Sequence, residues 1–270
     1  MSDDRLYKKE EYRGYSIGIY YDYDPESPRS WDNLGTIYSN SRRYNPDGHK
    51  IEEILNDEET GMSEDFKKNY IWLKIRGYEH IGLTISVSGG YPYNDPWDSG
   101  LFGIIAVSKE RAVKEFGKKI CTKKVRERAI ACLTGEVETL DDYYTGNVYG
   151  FVIENEDGDE IDSCWGYFGN DYIDKDMIPE CKSIIDADIE NREKVHNERI
   201  ETVKTNIMIL MGNTFIFGND CYRIAGDMFN LPVIEKATAQ GGRIREEFYN
   251  NINLADIPES VLEDMSRLVK

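Results

Sequence analysis

Residues 135–166 read GEVETLDDYYTGNVYGFVIENEDGDEIDSCWG, and the α+β assignment hangs on them. A helix opens near Glu136. Its carboxylates Glu136, Glu138, Asp141 and Asp142 suit a helix N-terminus, where the dipole favours negative charge. Paired carboxylates also serve glycosidases, a second reading of the same cluster. Val148–Glu154 is apolar, β-branched and aromatic, which predicts a strand. Asp157-Gly158 is a hairpin turn signal, and Glu160–Trp165 returns. A helix feeding an antiparallel hairpin places the chain in the α+β class.

Toward the N-terminus the pattern stays mostly extended. Strands are predicted at Tyr15–Tyr21, Leu34–Tyr38, Tyr70–Ile75, Ile81–Val87 and Leu101–Val107. Proline turns at Asp24–Pro28 and Asn45–Gly48 separate the first of them, and a short helix is predicted around Ile51–Leu55. A loop rich in Gly, Tyr and Pro fills 88–96. Ser108 caps a helix that ends at Gly117, and Thr122 caps a second over Lys123–Leu133.

From Pro179 the period changes. Ile185, Ile189, His196, Ile200, Val203 and Ile207 form a narrow apolar stripe, which predicts an amphipathic helix of about 25 residues. The remainder, 212–270, reads as mostly helical. The expected architecture is an antiparallel sheet body with flanking helices over 1–178. A long amphipathic helix and a helical C-terminal portion follow over 179–270. A charged helix with so thin a stripe fits a partner helix, so a homo-oligomer is expected.

Three motifs put a Trp, an Asp and a Gly within five residues: Trp31–Gly35, Trp97–Gly100 and Asp162–Gly166. Each falls at a predicted strand end. They read as buried turns, with Trp filling the core and Asp tying the loop. Asp32, His80, Asp98 and Asp162 could instead converge to hold a divalent metal or to do acid–base chemistry. Their spacing matches no metal or phosphate-loop motif. Cys164 would need a base, and the chain has only His49, His80 and His196.

The chain carries 51 acidic and 33 basic residues, a net charge of −18 over 270 residues. Such a field repels nucleic acid and anionic membranes and attracts basic protein surfaces. Hydrophobic residues make up 40%, enough for a real core. The start is polar and acidic, and no apolar run approaches the ~18 residues that span a bilayer. Five dispersed Cys read as reduced cytoplasmic thiols.

The charge is uneven. Segment 154–198 holds fifteen acidic residues against four basic, a net −11 in one sixth of the chain. Segment 109–128 holds nine basic against three acidic, a net +6. Most charge runs are solvated faces. The acidic one also has the density to stand in for a phosphate backbone in a groove built for DNA. The basic one lacks the interleaved aromatics that bind single strands.

The strings WDNLGT (31–36), RRYN (42–45), PWDSG (96–100), VSKE (107–110), GYFG (166–169) and the whole of 135–166 resemble a widespread family of uncharacterised proteins from bacteriophages and mobile elements. The resemblance covers roughly residues 12–170. That family has no established activity, so the resemblance implies a phage-like context and no mechanism. Tyr78-Glu79-His80-Ile81-Gly82 resembles the family's Asp-His-Ser-Gly stretch, with Glu79 and Ile81 in place of the Asp and Ser. That departure argues against a catalytic role for the pair. The tail after residue 178 has no counterpart in the family.

The expected function is therefore non-enzymatic. An acidic phage or mobile-element protein would bind and inhibit a host protein with a basic surface, a defence or nucleic-acid-processing factor, as a DNA mimic. Its contact residues would be Glu154, Glu156, Asp157, Asp159, Glu160, Asp171, Asp174, Asp176, Asp186, Asp188 and Glu190. No cofactor, direct nucleic acid or membrane is expected, and the location would be the host cytoplasm. One alternative is a metal-dependent hydrolase of nucleotides or phosphoesters, with Asp32, His80, Asp98 and Asp162 within roughly 8 Å of one another. Another is a structural subunit of a larger assembly.

Overall fold

The computed structural model of the chain describes residues 5–55, 61–87, 98–227, 231–238 and 250–269. The 88–96 loop, Trp97 and the loop at Ala239–Gly242 lie outside them. Helices and antiparallel sheets together make an α+β protein. It divides into two compact units, Met1–Lys182 and Ser183–Lys270.

In the first unit, strands β1 (Leu6–Tyr12) and β2 (Tyr15–Tyr21) form a hairpin across Arg13-Gly14, both with positive φ. Two residues in that conformation give the turn whose twist matches the strands. Strands β3 (Thr36–Ser39) and β4 (His49–Lys50), helix α1 (Glu64–Asn69) and strands β5 (Tyr70–Glu79), β6 (Leu83–Ser86) and β7 (Ser99–Ser108) follow. Helices α2 (Lys109–Glu115) and α3 (Lys123–Thr145) lead into β8 (Val148–Glu154) and β9 (Glu160–Phe168). One sheet has the order β1-β2-β8-β9, and the other β4-β3-β7-β5-β6. All pairings are antiparallel except the two-residue β3–β4 contact.

Helix α3 is one 23-residue helix, where the sequence reading breaks it near Gly135. The reason is tertiary. Val125, Ala129, Leu133, Val137 and Leu140 line one face and bury against Ile37, Ile71, Ile75 and Ile105 of the five-stranded sheet. Burying five side chains outweighs the ~1 kcal/mol that a mid-helix glycine costs. The other face of that sheet is covered too, with Ile104 and Ala106 of β7 against Ile51, Ile54 and Phe66.

Asp162–Gly166 is the middle of β9 and no turn. Tyr149 pairs with Tyr167 and Gly150 with Trp165, so Gly166 bulges out, at φ +84°. The Trp165 indole lies over Gly150, where a β-carbon would stand 2.3 Å from the ring. Trp165 is 37% exposed and Trp31 is 47% exposed. Neither fills the core, contrary to the expectation from the motifs. The β-branched residues and Tyr149 and Phe151 fill it instead.

Helix α4 (Ile178–Asn206) ends the first unit and opens the second. A π-helical turn, Ile173–Met177, precedes it, and Pro179 sits in its first turn, where a missing N–H costs nothing. Of the predicted stripe, Ile185, Ile200 and Val203 are buried. His196 bonds Glu259 through Nδ1.

The expected helical tail is not found. Residues after α4 form β10 (Thr214–Phe217), β11 (Asp220–Gly226), β12 (Pro232–Thr238) and β13 (Asn250–Asn251), an antiparallel sheet in chain order, and then α5 (Glu259–Leu268). Gly218-Asn219 is a two-residue hairpin loop with Gly218 at φ +57°. Apolar residues occupy both faces of β10: Phe215 is buried while Ile216 and Phe217 are exposed. The period of two therefore vanishes from its hydrophobicity, and only the turn signal remains. Phe215, Tyr222, Ile224 and Ile234 pack with Val261, Leu262 and Met265 of α5. Among the described residues no helix is long and apolar enough to cross a membrane.

Candidate functional site

The WDNLGT loop is anchored from below by charge. Pro28 starts a short helical turn that presents Arg29, whose side chain is 4% exposed. Its Nε and Nη2 donate to Asp47 at 2.8 and 2.7 Å, and Nη1 donates to Glu136 at 2.9 Å. Nη2 also donates to the Gly35 carbonyl at 2.8 Å. The carboxylates then take up backbone donors of the loop. Glu136 accepts from the N–H of Leu34 and Gly35, and Asp47 from that of Ile37. Burial acts to lower the Arg29 pKa, and hydrogen bonds to the two carboxylates more than offset it. Every partner is satisfied internally, so this is a fold anchor.

The motif's named residues point outward. Trp31 meets Phe168 edge-on at 5.3 Å. Asp32 is fully exposed, with Arg111 at 3.7 Å. Asp32 therefore ties no turn. The loop is held by Arg29, Asp47 and Glu136, residues that the motif reading did not select for this role. Asp47 follows a proline turn and Glu136 a glycine, and neither context advertises a buried partner for Arg29, 18 and 107 residues away.

The four candidate metal or acid–base residues do not assemble. His80 and Asp98 do meet, Nδ1 to Oδ2 at 2.8 Å, beside the β5–β6 turn. Asp98 directly precedes β7, whereas Asp32 sits by Arg111 just past its other end. Ten strand residues of roughly 3.3 Å each separate those ends. Asp162 lies on β9 of the other sheet, opposite Ile153, and is exposed. Among the described residues no three His, Cys, Asp or Glu side chains come together as a metal site.

The His80–Asp98 pair borders an open cavity of about 460 Å³ with Ser41, Arg42 and Glu79 on its walls. His80 is 62% exposed, so the pair is a solvated surface contact. His49 is tied to Glu53 and His196 to Glu259, and among the described residues no hydrogen bond joins an imidazole to Cys164.

The acidic segment divides in two. At the β8–β9 tip, Asn155 Oδ1 accepts the N–H of Asp157 and Asp159 at 3.0 and 2.8 Å, with Gly158 at φ +83°. This side-chain-closed turn leaves Glu156, Asp157, Asp159 and Glu160 exposed. Asp171, Asp174 and Asp176 are exposed around the π-turn, where Asp174 pairs with Lys8. Glu154 is half-buried at the end of β8. Asp186, Asp188 and Glu190 continue on α4, with Asp188 held by Arg192 at 2.7 Å.

The chain matches no family model, no curated protein and no solved structure. Its site must be read from its own side chains.

The carboxylates of 136–142 lie in the second half of α3, not in a first turn. Asp141 accepts the N–H of Ile85 at 2.7 Å, and burial raises its pKa. Asp142 is pushed up to about 6, first by burial and then by Asp141. The last turn of α3 has no basic residue, so both carboxylates face the negative end of the helix dipole uncompensated.

Proposed function

We propose that this chain acts by binding, as a phage or mobile-element protein that occupies a basic surface of a host protein. The carrying observation is the unpaired state of the acidic ribbon. Among the described residues, Glu156, Asp157, Asp159, Glu160, Asp171 and Asp176 have no cation within ion-pair distance. Glu160 accepts from Ser163 and Asp159 from Asn155, but a fold gains little from six solvated carboxylates with no cation to pair. They repel one another and are relieved by a cationic partner. A two-stranded ribbon holds the tip of the array stiffly, which limits the entropy lost on docking. A protein groove built for a phosphate backbone is the surface such a ribbon would fit, so the host partner belongs to the nucleic-acid-processing or defence class.

The test is affinity capture from bacterial lysate with the full chain. The expected result is a basic protein retained at low salt and released as ionic strength rises toward ~0.5 M, where the screening length falls to a few ångströms. The quadruple variant Glu156→Gln, Asp157→Asn, Asp159→Asn, Glu160→Gln should retain none. Empty capture at low salt overturns the proposal, and so does equal capture by the variant.

A further inference from the structure

At the C-terminal end of α3 a cavity of about 600 Å³ opens between the end of β2 and the last turn of the helix. Its walls carry four phenol rings, Tyr21, Tyr23, Tyr143 and Tyr144, and two carboxylates, Asp22 and Asp24. Among the described residues no lysine, arginine or histidine lines it. That volume suits a small ligand or one large side chain.

The walls are built rather than incidental. The Asp22 N–H donates to the Val148 carbonyl at 2.8 Å, which fixes the end of β2 against β8. Asp22 Oδ1 accepts the Asp24 N–H at 3.1 Å, and among the described residues no side chain donates to either carboxylate. Tyr143 and Tyr144 stand 5.8 Å apart at 58°, and Tyr144 is braced by Tyr44 at 5.4 Å. Tyr21 is braced by Tyr149 at 5.2 Å. Rings held by other rings keep their orientation at little entropic cost on binding.

Three independent features give the cavity one sign. The aromatic faces are electron-rich and attract a cation laid on them. Asp22 and Asp24 add formal negative charge. The floor includes Thr145 and Gly146, at the end of a 23-residue helix whose final turn has no basic residue. That end is the negative pole of the helix dipole, where a cation is normally supplied in the chain. Backbone N–H groups of Gly146 and Asn147 cap the last carbonyls, and no basic side chain of the final turn adds positive charge there. The cation–π contact is already realised at the rim, where the Arg5 guanidinium stands 5.0 Å from the Tyr23 ring centre.

We infer that this cavity is a binding site for an organic ammonium group, held among the tyrosine rings and paired with Asp22 and Asp24. Free amines and the lysine side chain of a protein share that chemistry. The site is separate from the acidic ribbon and does not depend on the ribbon's role.

The experiment is a titration of the full chain, read by calorimetry and by tyrosine ring resonances. The probes are choline, N-acetyl-lysine methylamide, its trimethylated form, and 3,3-dimethylbutan-1-ol as the neutral isostere of choline. The expected result is saturation by at least one cation, with a Kd between roughly 10 µM and 5 mM, and binding of the neutral alcohol at least tenfold weaker. Choline alone saturating identifies a free small-molecule ammonium, and the peptide-like probes saturating more tightly identify a protein side chain. Tyr23 and Asp24 are exposed, so their variants leave the fold intact. Tyr23→Leu should weaken binding roughly three- to thirtyfold while Tyr23→Phe stays within about twofold, since a cation needs the ring and not the hydroxyl. Asp24→Asn should weaken it by a similar factor. The inference is overturned if no cation saturates by ~20 mM, if the neutral alcohol binds as well as choline, or if Tyr23→Leu binds like the parent. Ribbon neutralisation should leave this titration unchanged, so failure here and failure of host capture are read separately.

Discussion

Arg29 and the acidic ribbon handle charge in opposite ways. Arg29 is withdrawn from solvent between Asp47 and Glu136, and each carboxylate also closes backbone donors of the loop above. The ribbon displays Glu156, Asp157, Asp159 and Glu160 to water, with no described cation within ion-pair distance. The first arrangement is complete within the chain, and it holds the body together. The second is incomplete, and a partner can complete it. Charge that is buried and fully bonded is evidence about folding, while charge that is exposed and unpaired is evidence about association.

The sharpest way to break this contrast is Arg29→Met. Removing the cation leaves two carboxylates buried without it, and the expected loss is about 3–5 kcal/mol of unfolding free energy. Urea denaturation measures it. A loss under about 1 kcal/mol would place the network with the surface pairs and erase the distinction.

Asp142 lies between the two cases, half-buried and short of compensation. Its pKa is about 6 in the fold against 3.8 in the free side chain. A raised acid pKa means that the fold prefers the protonated form. That stabilisation is full below about pH 4 and is lost as pH rises through about 6. Asp142→Asn, a permanent mimic of the neutral acid, should therefore raise stability at pH 7.5. Partial exposure reduces the gain to about 1 kcal/mol. At pH 3, below both pKa values, the gain should nearly vanish. Melting temperatures at the two pH values decide it, and an equal gain at both would assign the effect to something other than ionisation.

The smallest change in stability belongs to the ribbon. The quadruple Gln/Asn variant at 156, 157, 159 and 160 should shift unfolding by no more than about 0.5 kcal/mol. The same variant should abolish capture of a basic partner. A large destabilisation would show that the ribbon serves the fold after all.

Much of the body was legible in the sequence. The β8–β9 hairpin, the β2, β5, β6 and β7 strands and the 178–206 helix all carry their own periodicity or turn chemistry. β1 lies in a stretch that reads as extended, but its bounds are not marked, because Leu6–Tyr12 alternates intermediate and exposed residues and buries none fully. The tail sheet was missed because β10 is apolar on both faces. The motif tryptophans misled for a different reason. A Trp beside a Gly reads as a core residue, yet Gly150 shows the glycine serving the indole from the neighbouring strand, on a half-open face.

The sequence by itself determined the α+β class, the hairpin signals and the placement of −11 of the net charge between 154 and 198. These are local properties, set by neighbours within a few residues. Tertiary structure alone decided which charges are partnered. It brought Arg29 to Glu136, kept Asp32 and Asp162 from His80 and Asp98, and set four tyrosines and two aspartates around one cavity. Pairing of that kind depends on strand order and helix packing across more than a hundred residues, and no local pattern encodes it.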